Sequence, residues 1–550
     1  MKKASTSTPW WKNAVIYQIY PRSFQDSNGD GIGDIPGIIS RLPYLEKLGI
    51  DALWLSPVFC SPQDDNGYDI SDYQDIDPLF GTLSDMDALI REAGKRGIRI
   101  IMDLVLNHSS DEHRWFLEAK KSRDNPYHDY YIWRDGDGIH PPDNMKASFG
   151  GSAWQWVPDV GQYYFHQFSV KQPDLNWENP KLRSELFAMI RWWAKRGVGG
   201  FRLDVVDHLG KDPSRGITVN GPLLHTYIRE MSREAFSDPE IVTIGEAWSA
   251  DIPSAKLYSN PDGSELSMVF QFEHMKLDQR PAGDKWDLVP LDFVALKRIF
   301  TRWQQELAGC GWNSLFWENH DLPRNISHLG DDGPYRVQSA KALAILLHGM
   351  QGTPFVYQGE ELGMTNALDY SLDDYQDIEI KNMIREKRTA GLSDEEILKK
   401  LHLKGRDNAR TPMQWDNSMH SGFTTGIPWL RVNSNYHEIN AASQIDHADS
   451  VFSCYCKLIR MRKEYPIFME GNYEPLLEED ARIFAYRRQN ENTELLVVCN
   501  CNLEPVMNPL EEQMNGDLLA CSYTSVGNPH ILRPYEARMI LKRIYNATNE

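Results

Sequence analysis

Three carboxylates follow short apolar runs of the chain, in GGFRLDVV, IVTIGEAW and WNSLFWENHD, at Asp204, Glu246 and Asp321. Arg202 precedes Asp204 by two residues, so on a strand both side chains point to one face, and the arginine favours an ionised carboxylate. Glu246 is followed by Ala247 and Trp248, an apolar setting that raises a carboxyl pKa. A carboxylate nucleophile about 5 to 5.5 Å from a carboxylic acid is the arrangement for cleaving a glycosidic bond with retention.

Other polar residues stand at the ends of similar runs. Asp103, Asn107 and His108 end the run at 98–108, and His320 precedes Asp321. A single residue of this kind could be a helix cap or half of a buried ion pair. Four run ends that all carry such groups indicate one site, because the carboxyl ends of parallel strands meet at one end of a barrel.

The elements that position these residues are eight apolar runs separated by helical patterns. The runs cover residues 14–21, 52–58, 98–108, 199–206, 241–248, 267–274, 312–321 and 353–362. Near-continuous apolar runs suit parallel strands that are buried on both faces. Strand–helix alternation repeated eight times predicts an α/β fold, a (β/α)8 TIM barrel.

The spacing also predicts additional domains. The aromatic-rich stretch after the third run is too long for a plain loop, and short alternating runs after about 470 indicate antiparallel strands. We therefore predict a barrel at 1–106 and 178–470, an inserted subdomain after strand 3 at 107–177, and a C-terminal antiparallel β domain, a β-sandwich, at 471–550. A second insertion near 365–415 contains the helical pattern LSDEEILKKLHL.

Composition excludes several classes of function. The formal net charge of the 550 residues is -20, which disfavours binding to nucleic acid or an anionic membrane. The 7 cysteines are scattered without a zinc-ribbon spacing, and the N-terminus MKKASTSTPWWKN lacks the apolar core of a signal peptide. No stretch approaches the roughly 20 apolar residues of a membrane span. We expect a cytoplasmic protein, a monomer that acts on a small-molecule substrate.

The ordered motifs DLVLNH (103–108), QPDLNW (172–177), GFRLDVV (200–206), IGEAW (244–248) and ENHD (318–321) resemble those of the α-amylase superfamily of glycoside hydrolases. The resemblance implies that Asp204 is the nucleophile, Glu246 the acid/base and Asp321 the transition-state stabiliser. It also implies a set of residues that hold the sugar at the cleaved unit: Tyr68, on which the sugar stacks, His108, Arg202 and His320.

RDNARTPMQWD (406–416) resembles the oligo-1,6-glucosidase and dextran glucosidase subgroup. By this resemblance Asp65 and Arg410 pair to close the pocket behind the non-reducing sugar, which implies removal of one glucose at a time. Val205 resembles the residue of enzymes that prefer α-1,6 bonds, and Lys285 resembles a lysine that reaches the leaving sugar. Glu318 departs from the frequent Asn or Asp, and two roles are open for it, at the leaving-sugar site or facing solvent.

The expectation is therefore a retaining, exo-acting α-glucosidase that hydrolyses α-1,6 bonds of isomalto-oligosaccharides through a covalent glucosyl-aspartate. Trehalose-6-phosphate hydrolase, sucrose isomerase and an α-1,4-preferring glucosidase share the same machinery. A non-catalytic alternative is a sugar-binding or transporter-associated relative that carries this fold.

The loop DSNGDGIGD (26–34) could wrap a hard cation, because oxygen side chains alternate with glycines at Asp26, Asn28, Asp30 and Asp34. It is not an EF-hand, since position twelve is Gly37 instead of glutamate. The resemblance implies a structural Ca²⁺, with Mg²⁺ as an alternative, and adds the carbonyl of Ile32. The other interpretation is a loop of Asx-turns without metal.

Overall fold

The computed structural model describes residues 8–544, and its largest element is a ring of eight parallel strands. They are Ile16–Ile19, Ala52–Leu55, Arg99–Leu104, Gly200–Leu203, Val242–Glu246, Met268–Phe270, Ser314–Leu315 and Thr353–Tyr357, numbered one to eight below. Neighbouring strands pair in parallel, and the first also pairs with the eighth, with Ile16 opposite Phe355. A parallel bridge between Val269 and Asn313 joins the sixth strand to the seventh. The predicted barrel is confirmed.

A helix follows each barrel strand before the next strand begins. These helices are Ile35–Leu48, Leu83–Gly94, Pro180–Lys195, Leu224–Ala235, Ile252–Tyr258, Phe293–Glu306, Arg336–His348 and Val451–Glu464. Local sequence sets their ends. At the third, Asn179 accepts hydrogen bonds from the N–H groups of Lys181 and Leu182, and Pro180 occupies the first helical position.

Alternate residues of the second strand pack in two different cores. Ala52 and Trp54 belong to the core that fills the barrel interior. Leu53 and Leu55 belong to the core between strands and helices. A strand of period two that is buried on both faces explains why the sequence shows an uninterrupted apolar run.

The segment after the third strand forms a small antiparallel sheet. Its strands are Trp133–Asp135, Trp154–Val157 and Gln162–Phe165, with the last in the middle, and a helix at Arg114–Ala119 precedes them. The second insertion carries the helices Ile378–Thr389, Asp394–Lys404 and Asp407–Arg410. The helix predicted from LSDEEILKKLHL is therefore confirmed.

Lys211, from the loop after the fourth strand, fastens the first insertion to the barrel. Its Nζ donates to Oδ1 of Asn107 at 2.6 Å and lies 3.1 Å from Oδ2 of Asp174. Asn107 lies at the start of the insertion and Asp174 near its end, so one buried ammonium group joins both ends of the insertion to the barrel.

The C-terminal part is antiparallel, as predicted. Five strands, Asn472–Leu476, Ile483–Gln489, Thr493–Asn500, Ala537–Arg543 and Asp517–Cys521, form one sheet in that order, and Val506–Met507 pairs with Ile531–Leu532 in a second. Side chains of both sheets share one apolar cluster. The numbered domain boundaries remain a prediction.

Within residues 8–544, no helix is long and apolar enough to cross a membrane. The N-terminal interpretation rests in part on residues 1–7, and the predicted C-terminal domain includes 545–550; both segments lie outside the described residues.

Candidate active site

One guanidinium group organises the carboxylates at the carboxyl end of the barrel. Arg202 Nη1 donates to Asp103 Oδ1 and to Asp204 Oδ1, each at 2.7 Å. Its Nη2 lies 2.7 Å from Oε2 of Glu246. Arg202 lies on the fourth strand and Asp204 directly follows its end, so the two side chains face the same side, as predicted. The structure thus brings Asp204 and Glu246 onto the two terminal nitrogens of one side chain.

The protonation of these two carboxyls is linked. Burial raises the pKa of Asp204 and also that of Glu246, and Arg202 opposes the rise in both. Each carboxyl also raises the pKa of its acidic neighbours, because a second negative charge in a buried site is unfavourable. Two buried carboxyls that share one cation can therefore retain one proton between them at neutral pH. A nucleophile and an acid need that combination of one charged and one neutral carboxyl.

Asp321, in contrast, is held ionised. Burial favours its neutral form, but the guanidinium groups of Arg406 and Arg410 outweigh burial and hold the pKa of Asp321 well below its usual range. Arg410 Nη2 donates to Asp321 Oδ1 at 2.8 Å, and Arg406 Nη1 donates to the same oxygen at 3.1 Å. The site therefore keeps a fixed negative charge beside the pair of Asp204 and Glu246.

The two histidines are neutral groups that position their neighbours. Burial lowers the pKa of His108 to about 4 and that of His320 to about 3. His108 Nε2 lies 3.1 Å from the Tyr68 carbonyl oxygen and 3.1 Å from Nε2 of Gln172. His320 Nε2 lies 2.7 Å from the Tyr68 hydroxyl. Both histidines therefore contact Tyr68, one through its backbone and one through its side chain.

A cavity of about 300 Å³ opens above these groups. Eight of the predicted residues line it: Asp65, Tyr68, His108, Asp204, Val205, Glu246, Lys285 and Asp321. Arg202, His320 and Arg410 are at most 1% exposed and lie behind the residues that form the wall. Seven other lining residues were not predicted as site residues. Trp248 and Arg406 lie in motifs that the prediction used, and the others are Ser148, Phe149, Phe168, His208 and Glu379.

The predicted contact between Asp65 and Arg410 is wrong. Asp65 Oδ1 lies 3.4 Å from Arg406 Nη2, whereas Arg410 contacts Asp321 and Asp377. Arg406 and Arg410 are one helical turn apart at the short helix Asp407–Arg410, so they share a side of the chain and the motif alone does not distinguish them. Burial raises the pKa of Asp65 to about 7, and Arg406 opposes that rise.

Two inserted segments meet at the wall of the pocket. Asn382, from the second insertion, donates to the Phe149 carbonyl oxygen at 3.0 Å. The Arg406 guanidinium lies 5.2 Å from the centre of the Phe149 ring. The aromatic ring, the arginine and Asp65 together form one part of the pocket wall.

Trp248 and Lys285 also line the pocket. Trp248 Nε1 donates to Oε1 of Glu246 at 3.2 Å, and its ring stacks on Phe272 with centroids 3.9 Å apart. Lys285 Nζ donates to Oε2 of Glu379 at 2.5 Å. Trp248 therefore lies against Glu246, whereas Glu379 also lies 3.4 Å from Nε of Arg406.

Val205 has an unusual backbone conformation. Its φ of 36° and ψ of 50° are left-handed, which is costly for a β-branched residue. The conformation directs its N–H to Oε2 of Glu246 at 3.1 Å. The side chain is 6% exposed and lines the pocket beside the nucleophile.

Glu318 has neither of the two roles considered for it. It is fully buried, pairs with Arg324 Nη1 at 3.0 Å and accepts the N–H of Asn325, at the start of the helix Asn325–Leu329. Glu318 therefore fixes the chain that follows Asp321, because its partner Arg324 lies six residues later in the sequence.

The loop at 26–34 folds around its own side-chain oxygens. Asp26 Oδ1 accepts the N–H of Asn28 at 2.9 Å, and Asn28 Oδ1 accepts the N–H of Asp30 at 2.8 Å. Ile32 donates its N–H to Asp30, and Asp34 caps the first barrel helix. Within residues 8–544, no three or more His, Cys, Asp or Glu side chains are arranged as a metal site. The oxygen-rich donor set suits a hard cation, and bound calcium remains a prediction.

Comparison with known proteins decides the family. Residues 18–471 match the α-amylase catalytic domain. The chain belongs to the α-amylase family. An oligo-1,6-glucosidase of Halalkalibacterium halodurans is 52% identical over 97% of this chain and 99% of that protein. This family member is accordingly a glycoside hydrolase of the α-glucosidase type, and the expectation of an enzyme is confirmed.

Solved structures of α-amylase family members with other activities are also similar. The trehalose-6-phosphate hydrolase of Bacillus licheniformis has a TM-score of 0.92 and 45% identity, covering 97% of this chain and 100% of that one. The isomaltulose synthase of Klebsiella sp. LX3 has a TM-score of 0.94 and 40% identity, covering 98% and 100%. The fold therefore does not by itself select the substrate.

Proposed function

We propose that this chain is a retaining, exo-acting α-glucosidase that releases glucose from the non-reducing end of α-1,6-linked oligosaccharides. The observation that carries the proposal is the placement of Asp204 and Glu246 on the two terminal nitrogens of Arg202, in a pocket that both carboxyls line. That geometry supports a double displacement on one terminal sugar unit.

In the first step, Asp204 attacks the anomeric carbon while Glu246 gives its proton to the departing glycosidic oxygen. A covalent glucosyl-Asp204 forms, and the leaving sugar is released as an alcohol. In the second step, the ionised Glu246 takes a proton from water, whose oxygen attacks the same carbon and releases Asp204. Two inversions leave the α configuration unchanged. Asp321, ionised throughout, binds sugar hydroxyls more strongly as the transition state forms.

The wall behind the carboxylates supports exo action. Asp65 and Arg406 face each other at 3.4 Å, and the Phe149 ring covers Arg406. A further sugar unit on the non-reducing side would have to displace this ion pair and ring. A chain is therefore expected to enter by its end, with one glucose unit in the pocket.

Two observations support α-1,6 bonds. Val205 places a branched apolar wall beside the nucleophile, and its resemblance to α-1,6-preferring enzymes disfavours sucrose isomerase and α-1,4-preferring glucosidase. The oligo-1,6-glucosidase relative is 52% identical over nearly its full length.

Trehalose-6-phosphate is the less favoured substrate, because a phosphate needs cations that are free to bind it. Both cations that line the pocket already face carboxylates. Lys285 pairs with Glu379, and Arg406 contacts Asp65 and Asp321. A phosphate near Lys285 would also lie beside the Glu379 carboxylate, which repels it.

The test is release of glucose from isomaltose, maltose, sucrose and trehalose-6-phosphate, with Asp204→Asn as the inactive control. We expect isomaltose to be turned over best, with α-glucose as the first product in proton NMR. Preference for maltose would reject the linkage assignment, and β-glucose as the first product would reject the retaining mechanism.

A further inference from the structure

Asp321 and Asp377 are joined through the same two guanidinium groups. Arg406 donates from Nη2 to Asp377 Oδ2 at 2.6 Å and from Nη1 to Asp321 Oδ1 at 3.1 Å. Arg410 donates from Nη1 to Asp377 Oδ2 at 2.7 Å and from Nη2 to Asp321 Oδ1 at 2.8 Å. In these four side chains, here called the Asp–Arg ring, carboxylates and guanidinium groups alternate around a closed ring of hydrogen bonds.

The two oxygens of Asp321 have different surroundings. Both arginines bind Oδ1, whereas Oδ2 lies 3.2 Å from Nε2 of His320. The Asp321 side chain is 20% exposed, and it lines the pocket. The oxygen Oδ2 is therefore the one left for a ligand in the pocket.

Asp377 has no place in the pocket wall. Its side chain is fully buried, and its Oδ1 accepts the N–H of Ile380 as the cap of the helix Ile378–Thr389. The remaining carboxylate partners of Arg406, Asp65 and Glu379, are farther away, each at 3.4 Å. Asp377 thus makes the shortest contact to Arg406, and it also takes one nitrogen of Arg410.

A guanidinium group prefers to bind a carboxylate through two parallel hydrogen bonds. An arginine released from Asp377 would have a free terminal nitrogen next to Asp321. Its most favourable movement would be to bind both oxygens of that carboxylate and so occupy Oδ2. Because Asp377 holds one nitrogen of each arginine, neither arginine binds both oxygens of Asp321.

We propose that Asp377 is a positioning residue, which holds Arg406 and Arg410 so that each binds only Oδ1 of Asp321 and Oδ2 stays free for sugar hydroxyls. The inference rests on the proposed function only where it names a sugar as the ligand of Oδ2. The second insertion then contributes to the chemistry without touching the substrate.

Asp377→Asn tests the proposal, because asparagine caps a helix as well as aspartate does and removes only the charge. We expect a crystal structure of the variant to show a guanidinium nitrogen within hydrogen-bond distance of Asp321 Oδ2. We expect kcat/KM on isomaltose to fall about 100-fold, as for other misplaced catalytic groups. The dissociation constant for glucose, measured by calorimetry, should rise as well.

The matched control is Asp369→Asn, which removes the same charge from the same insertion where Asp369 pairs with the exposed Arg431. Asp377→Ser, which also retains a capping group, is the second variant should Asp377→Asn fold poorly. A loss of thermal stability with unchanged kcat/KM at 25 °C would show a purely structural role and overturn the proposal. So would a variant crystal structure in which Oδ2 remains free.

The two proposals fail in distinguishable ways. A wild-type enzyme that hydrolyses no α-glucoside would reject the proposed function. The crystal structure of Asp377→Asn would still decide whether Asp377 keeps Oδ2 free.

Discussion

The Tyr68 hydroxyl lies 2.7 Å from Nε2 of His320, and the two ring planes are within 4° of parallel. The Gln18 amide lies 2.7 Å from Nδ1 of the same histidine, and the Tyr68 hydroxyl donates to Asp103 Oδ2 at 3.1 Å. A neutral histidine that accepts at Nδ1 donates at Nε2, so these contacts form one directed chain from Gln18 to Asp103.

Tyr68→Phe breaks that chain while it keeps the ring on which the sugar stacks. We expect kcat/KM on isomaltose to fall about tenfold, the equivalent of one hydrogen bond of about 1.4 kcal/mol. The melting temperature should change little, since the ring remains packed. An unchanged kcat/KM would mean that the hydroxyl does not orient the site.

Asp204→Asn and Glu246→Gln should differ in their dependence on the leaving group. Without its acid, the enzyme should lose about 10² to 10⁴ in kcat on isomaltose, but much less on p-nitrophenyl α-glucoside, whose phenolate leaves without a proton. Loss of the nucleophile should abolish both activities. Steady-state kinetics on the two substrates test the roles. Equal losses in Glu246→Gln would contradict its role as the acid.

Acid should destabilise the fold through its buried neutral histidines. Burial lowers the pKa values of five of them, to about 4 in His108 and to about 3 in His113, His274, His320 and His348. Below an unfolded pKa of about 6.5 the unfolded chain binds more protons, so stability falls as pH falls from 6.5 towards 4. Each fully buried histidine contributes a loss on the order of 3 kcal/mol across that interval.

His348 allows the proton uptake of one buried histidine to be measured separately, because neither of its ring nitrogens has a hydrogen-bond partner among the described residues. The pH dependence of unfolding in His348→Leu should be shallower by one proton between pH 6 and pH 4. His437→Gln, at an exposed position, is the control and should retain the wild-type slope. Denaturant titrations across this range measure both. A slope that His348→Leu leaves unchanged would contradict the assignment.

Lys211→Met should loosen the first insertion. The substitution leaves Asp174 buried without its cation, and breaking a buried pair in this way costs about 3 to 5 kcal/mol. Thermal unfolding should begin earlier, and limited proteolysis should cut within 107–177. Lys121→Met, which removes an exposed pair with Glu118 in the same segment, should behave as wild type.

Calcium at the loop 26–34 is proposed and can be tested without activity. Added Ca²⁺ should raise the melting temperature relative to EDTA, because a ligand that binds only the folded state stabilises it. Asp30→Asn should remove this difference. A melting temperature that is the same in Ca²⁺ and EDTA for the wild type would favour the metal-free Asx-turn interpretation.

Features recorded in local sequence patterns were predictable. The eight apolar runs became the eight strands, and the carboxylates at their ends met at Arg202, because strand periodicity fixes which side chains face the interior. Features that depend on distant packing were not predictable. The sequence alone could not show which of Arg406 and Arg410 contacts Asp65, because that depends on the position of their helix. Phe149 reaches the pocket from a loop, and no sequence periodicity determines the path of a loop.

Glu318 illustrates the same limit. Asp321 of the same motif lines the pocket, but the partner of Glu318 is Arg324, six residues later in the chain. The residue type alone was compatible with a binding role. Only the three-dimensional path of the chain assigns it to the support of the next helix.

The excess of carboxylates around Arg202 has a consequence for the electric potential inside the pocket. Asp204, Glu246 and Asp321 line the pocket, and Asp103 is buried beside Arg202. The basic side chains that line the pocket, Lys285 and Arg406, are already paired with carboxylates. Such a field favours a ligand that carries positive charge at the anomeric centre, as the oxocarbenium-like transition state does. A protonated iminosugar should therefore bind more tightly than a neutral sugar of the same shape, and high salt should weaken this preference little, because the charges are buried.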